Sequence, residues 1–117
     1  MTEEELASKC KLADNQARKE LYELYGGSLM VICLRYIGDR EAAEDVLHDG
    51  FVRIFQSIGQ FTYQGVGSLK AWLSRVMVNE ALGYLRKRNQ LAQQEVLMEQ
   101  LPDTEEDDDG VGDIPQA

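Results

Sequence analysis

The chain has 117 residues, 44% of them hydrophobic and 28% charged, with a formal net charge of −9. That size and mixture describe one globular domain with room for a core, rather than a fibrous or low-complexity chain. No apolar run approaches a membrane span and the acidic start Met1–Glu5 is not a signal peptide, so no membrane insertion is expected and the cytoplasm is the default location.

Thr2-Glu3-Glu4-Glu5 predicts a helix start, with Thr2 as the cap and Glu5 three residues on; Leu6, Cys10 and Ala13 follow as a short apolar edge. Asp14 is placed to cap a second helix over Asn15–Ile37, whose apolar positions are Ala17, Leu21, Leu24, Leu29, Ile32, Cys33 and Tyr36. Gly26-Gly27 interrupts it, at a cost of roughly 1 kcal/mol per glycine against alanine. One unbroken helix is expected, tolerating that cost because another helix crosses closely there; a break into two helices is the alternative. Cys10 and Cys33 lack any CxxC or Cys/His ligand spacing, so they read as small buried hydrophobes without a disulfide.

Gly38 closes the second helix and Asp39 caps a third, Arg40–Ile58. Its core stripe is Ala43, Leu47, Gly50, Phe51, Ile54 and Ile58. The opposite face shows Glu41, Asp45, His48, Asp49, Val52 and Gln56, with Phe55 on the flank. Charges alone are a solvated surface; an apolar Val52 among carboxylates, with Phe55 near, is the pattern of a binding patch rimmed by charge. Gly59–Ser68 is then a loop with two aromatics, Phe61 and Tyr63; Phe61 either serves a ligand or tucks into the core.

From Leu69 to Leu85 there is no proline, and Gly67-Ser68 resembles a helix start with Ser68 as cap. One apolar stripe contains Leu69, Leu73, Val76, Met77 and Tyr84, and a second contains Ala71, Val78, Leu82 and Leu85, which predicts packing on two sides. Between them run Trp72, Arg75, Asn79 and Arg86, and the helix ends in Arg86-Lys87-Arg88. Such a face suits nucleic acid: the aromatic stacks, guanidinium groups meet phosphates, and the amide reads a base edge. On periodicity alone the residues fit better an amphipathic core helix, with Trp72 as packing and cations at its C-terminal end, where they complement the helix dipole.

Charge is unevenly placed. Residues 92–117 hold nine acids and no base, while the other 91 hold twelve of each. Within those, Asp39–Asp49 has five acids against Arg40, and Lys70–Arg88 has five bases against Glu80. One acidic and one basic helix suit two partners on two surfaces. Leu91–Leu101 extends as a frayed helix that Pro102 stops. The acidic, glycine-containing Asp103–Ala117 cannot form a core and is expected to be disordered. His48 is the chain's one histidine, and no Ser/His/Asp set or glycine-rich phosphate loop is present. The reading is therefore not an enzyme, with no metal or cofactor.

Three blocks together resemble region two of bacterial RNA polymerase sigma factors, specifically the extracytoplasmic-function (ECF) group. LYELYGGSLMVICLRYIGD is similar to the family's first region-two helix. REAAEDVLHDGFVRIFQSIGQF is similar to its D-x-x-Q-E-x-F-x-[KR]-x-[WFY] helix. GSLKAWLSRVMVNEALGYLRKR resembles its promoter-reading helix, with an A-W-L-x-R-[IV]-x-x-N core. The resemblance implies an all-α fold, a small bundle of three to four helices over residues 1–90, with 91–117 as acidic linker or tail. It implies a transcription initiation factor domain with two partners, the β′ clamp helices of RNA polymerase and the single-stranded minus-ten region of promoter DNA. An anti-sigma factor is a further possible partner.

Carried over by position, Asp45, His48, Asp49, Val52, Phe55 and Gln56 would dock on polymerase. Phe61 and Asn79 would surround a flipped base, and Tyr63 in the same loop is a further DNA-binding candidate. Trp72 would stand at the edge of the bubble, and Lys70, Arg75, Arg86, Lys87 and Arg88 would meet the DNA backbone. The chain departs from the family pattern in having His48-Asp49 for the usual Gln-Glu, Gly83 for an acid, and a loop longer than in some members. The family's second DNA-reading domain, a helix-turn-helix, has no counterpart here, so an excised or naturally short region-two domain is expected. A helical protein-interaction module that binds polymerase or an anti-sigma factor without touching DNA is the alternative.

Overall fold

In this computed structural model the backbone is described for residues 1–100 and side chains for residues 1–94. The acidic segment expected to be disordered and the stop at Pro102 lie outside them. The described residues form α1 (Glu3–Lys11), α2 (Asn15–Ile37), α3 (Arg40–Ser57), a 3-10 turn at Ile58–Gln60, and α4 (Ser68–Gln100). The chain divides into two units, Met1–Leu85 and Arg86–Ala117, with the boundary inside α4. The helical bundle and its core lie in the first.

Local signals place the first three helices. The Thr2–Glu5 capping box closes, each side chain accepting from the other's backbone N–H at 2.9–3.1 Å. Accepting the Thr2 N–H, together with the Thr2 hydroxyl, holds the Glu5 carboxyl below its usual range. Asp14 accepts from the Gln16 N–H at 3.0 Å, and Asp39 from the Ala42 N–H at 2.8 Å.

One apolar core gathers residues from every helix: Leu6 and Cys10 of α1, Leu21, Leu29 and Cys33 of α2, Leu47, Phe51 and Ile54 of α3, and Leu69, Leu73 and Met77 of α4. Both cysteines are free and buried. Burial pushes the Cys33 thiol up to about 11 and raises Cys10 as well.

Several expectations are corrected. Among the described residues no helix crosses closely over Gly26-Gly27: a methyl built on Gly27 meets nothing within 4 Å, and the nearest atoms to one on Gly26 belong to the Tyr22 ring of the same helix, at 3.9 Å. The close approach is at Gly50 of α3, where an added methyl would overlap Met77 Sδ and lie 2.6 Å from its Cε. Of the positions expected to be apolar and inward on α1 and α2, Ala13, Leu24 and Tyr36 are exposed. Packing of α4 on two sides is found only in part: Leu69, Leu73, Met77 and Ala81 are fully buried, whereas of the second stripe Ala71 is exposed, Leu82 is 39% exposed, Val78 is half-buried, and Leu85 alone packs against the core. The bundle needs only one face of α4, since the core already has α1, α2 and α3 on that side.

Ser68 is not the cap of α4. The Gly67 carbonyl accepts the first helical bond, from the Ala71 N–H at 3.0 Å. Glu3 of α1 reaches across to accept from the Gly67 N–H at 3.1–3.2 Å and from the Leu69 N–H at 2.9 Å. A carboxylate from another helix thus fills the role of the capping side chain, favoured by the positive end of the helix dipole. Ser68 Oγ instead accepts from the Gln64 N–H at 3.1 Å, tightening the loop behind. Gly65 (φ 109°) and Gly67 (φ 89°) take backbone conformations that side chains disfavour, which is why this turn needs glycine twice.

Candidate nucleic-acid and protein interfaces

The core stripe of α3 turns inward as expected, joined by Val46. Its other side therefore faces out: Glu41, Glu44, Asp45, His48, Asp49, Val52 and Gln56 are all exposed, Val52 at 44%. Arg40 offsets Glu44 through an ion pair at 3.3 Å. His48 Nδ1 stands 3.9 Å from Asp49 Oδ1, nearer than adjacent helical positions lead one to expect but beyond hydrogen-bonding distance. Among the described residues no His, Cys, Asp or Glu cluster could hold a metal.

Phe55 is half-buried because two groups cover it. Phe51 lies 6.0 Å away between ring centroids, and the Arg18 guanidinium of α2 sits 5.1 Å above the ring, a cation–π distance. Tyr22 of α2 packs against Phe51 with its ring tilted 56° and the centroids 4.8 Å apart. Together with Leu47, His48 and Val52 these residues line an open cleft of about 410 Å³ between α2 and α3. The α3 patch is thus half of a larger surface whose other half is Arg18, Lys19 and Tyr22. Sequence reasoning missed that half: Arg18 and Tyr22 share a face of α2 at i,i+4, but only the fold brings them to Phe51 and Phe55.

On α4, Arg75 and Asn79 are exposed one turn apart, with Lys70 exposed nearer the start. Trp72 is half-buried, its ring 5.4 Å from that of Phe61 and tilted 49° to it. Phe61 itself is only 4% exposed, so of its two expected placements the structure takes the inward one. It supports Trp72 from beneath instead of presenting a free face. Tyr63 is half-buried in the loop, its phenol pushed up by lost solvent and by the Glu3 and Glu4 carboxylates. Val66 at the loop tip is 96% exposed. Glu80, the acid amid the α4 bases, pairs with Arg53 of α3 at 3.6 Å, which offsets its negative charge within the bundle. In the second unit, Arg86, Lys87 and Arg88 are exposed on the continuing helix.

The described residues thus form a small all-α domain of four helices, with an acidic outward face on α3 and an aromatic–cationic–amide face on α4. A profile of the Sigma-70 region 2 family matches residues 21–90, and the chain belongs to that family. It is 24% identical over 86 residues to the RNA polymerase sigma-H factor of Pseudomonas aeruginosa, covering 74% of this chain and 44% of that protein. To the ECF RNA polymerase sigma factor SigW of Bacillus subtilis it is 26% identical over 78 residues, 67% of this chain and 41% of the relative. The figures for the ECF RNA polymerase sigma factor BldN of Streptomyces coelicolor are 31% over 75 residues, 64% and 28%. The chain therefore spans less than half the length of the curated relatives it matches. A solved structure with the same fold is an engineered region 2 of sigmaE, determined by NMR in complex with GTAAAA. The TM-score is 0.68 at 22% identity, covering 76% of this chain and 90% of that one. No helix among the described residues is long and apolar enough to cross a membrane.

Proposed function

We propose that this domain docks on RNA polymerase through α3 and captures single-stranded promoter DNA of the minus-ten element through α4 and the loop before it. The observation that carries the reading is the outward placement of both sets in one bundle: Asp45, His48, Asp49, Val52 and Gln56 on α3, Lys70, Arg75 and Asn79 on α4. The β′ clamp helices are the proposed partner of the α3 face, and the cleft with Arg18 and Tyr22 extends that footprint onto α2. Asn79 reads a base edge, Trp72 and Tyr63 offer the stacking surfaces, and Phe61 holds Trp72 in place. Lys70, Arg75, Arg86, Lys87 and Arg88 meet phosphates.

Energetics make polymerase necessary. Unstacking and unpairing a base costs a few kcal/mol, and stacking it on an aromatic returns about 1–3 kcal/mol. With Phe61 inside, few aromatic faces remain, so the bundle alone does not hold a bubble open. Five cations give a salt slope of about −3 to −4 on single strands if all engage. The isolated domain binds weakly and salt-sensitively.

The test has two arms. Capture of β′ clamp helices by this chain is lost in Asp49→Lys if α3 is the docking face; unchanged capture refutes it. Fluorescence titration with a single-stranded minus-ten oligonucleotide in the presence of polymerase shows weaker binding for Asn79→Ala. Equal, negligible binding by both proteins leaves the alternative, a module that binds polymerase or an anti-sigma factor without DNA, for which the α2–α3 cleft would serve equally well.

A further inference from the structure

The side of α2 turned away from the core carries a second, unassigned stripe. Glu20, Leu24, Gly27, Ser28, Val31 and Arg35 fall within roughly 100° of arc on the helix, opposite Leu29 and Cys33. Leu24 is 59% exposed and Val31 46%. Gly27 and Ser28 are also exposed. Neither Glu20 nor Arg35 has an ion pair among those found between the described residues.

The stripe is self-complementary about the point between Gly27 and Ser28. A second copy laid antiparallel across that point brings Glu20 against Arg35, Leu24 against Val31 and Gly27 against Ser28. Twofold symmetry repeats each pairing, as an isologous interface requires. A parallel arrangement instead sets Glu20 against Glu20 and Arg35 against Arg35. The pair at the centre is the smallest, and small side chains at a crossing shorten the distance between helix axes.

We propose that the outward face of α2 is a homodimer interface, formed by antiparallel pairing of two copies of this helix. A second copy is the occupant because the stripe itself supplies both members of every pair. A crossing of two helices buries less than the roughly 800 Å² per partner of a standard interface, so association is weak and concentration-dependent. The pairing uses neither the outward residues of α3 nor those of α4.

Sedimentation velocity of the full chain tests it, run over increasing concentration at about 0.15 M salt, where the Debye length of about 8 Å screens repulsion between the acidic segments. The expected result is a monomer–dimer equilibrium. Arg35→Glu, which turns two attractive pairs into two repulsive ones, weakens it by about tenfold. The double exchange Glu20→Arg/Arg35→Glu restores it, because the reversed pairs still meet, and far-UV circular dichroism confirms that each variant is folded. A monomer at every concentration overturns the proposal. So does a dimer indifferent to Arg35→Glu, or a double exchange that fails to restore association.

Discussion

α3 and α4 lean on each other through Gly50–Met77 and Arg53–Glu80, yet the two helices are specified differently. Everything α3 needs is near at hand: Asp39 caps it, and every residue of its expected core stripe is buried. α4 takes its N-terminal hydrogen bonds from Glu3 on a different helix and buries one face where its pattern offers two. A helix covered on one side by a complete core follows its own period. A helix added against an existing core uses only the face that core has left uncovered.

The largest test of this difference is on α4. Leu73→Ala, at a fully buried site, lowers unfolding free energy by about 2–5 kcal/mol in urea denaturation. Leu82→Ala, on the expected second stripe, costs under about 1 kcal/mol because 39% of that side chain is already in water. Comparable losses at both sites would restore two-sided packing.

The seam between the helices comes next. Gly50→Ala gains roughly 1 kcal/mol of helix propensity but overpacks against Met77, at a cost of about 1–3 kcal/mol. It is therefore neutral to destabilising. In a Met77→Ala background the obstruction is gone and the same substitution stabilises. A double-mutant cycle reads the sign change directly. Additive effects at 50 and 77 would mean the two helices do not touch there.

These contrasts also mark how far the sequence was legible. Caps and stripes within one helix were readable: α2 runs over Asn15–Ile37 and the Thr2–Glu5 box closes because both depend on neighbours a few residues apart. Outward placement of Asp45, Asp49, Arg75 and Asn79 followed from the same periodicity. What depends on contacts between distant segments was not readable. Glu3 gives no local sign that it will serve Gly67, Arg18 gives none that it will cover Phe55, and the burial of Phe61 under Trp72 was open from spacing alone. The Gly26-Gly27 pair misled because a helical glycine signals close approach only when something approaches.

The two N-terminal caps separate local from distant instruction at a scale of about 1 kcal/mol. Asp39→Ala and Glu3→Gln should lower the stability of the whole chain by similar amounts. In isolated peptides the results diverge. A peptide spanning 38–58 loses helicity with Asp39→Ala, measured by circular dichroism. A peptide spanning 64–90 has no residue 3 to lose, so its first turn frays until the α1 segment is supplied. Spontaneous ordering of that turn would show that Glu3 is dispensable to α4.

The smallest effect has the opposite sign. Gly27 is exposed, helical and free of neighbours within 4 Å of a built methyl. Replacing it by alanine reduces the freedom of the unfolded chain without meeting anything in the folded one. Gly27→Ala should therefore stabilise by about 0.5–1 kcal/mol, read at protein concentrations low enough for the monomer. Gly26→Ala should follow, since the Tyr22 ring at 3.9 Å is in ordinary contact. Destabilisation at Gly27 would mean that some element does cross α2 there. With stabilisation at Gly27 and overpacking at Gly50, glycine in this bundle marks a crossing only on α3.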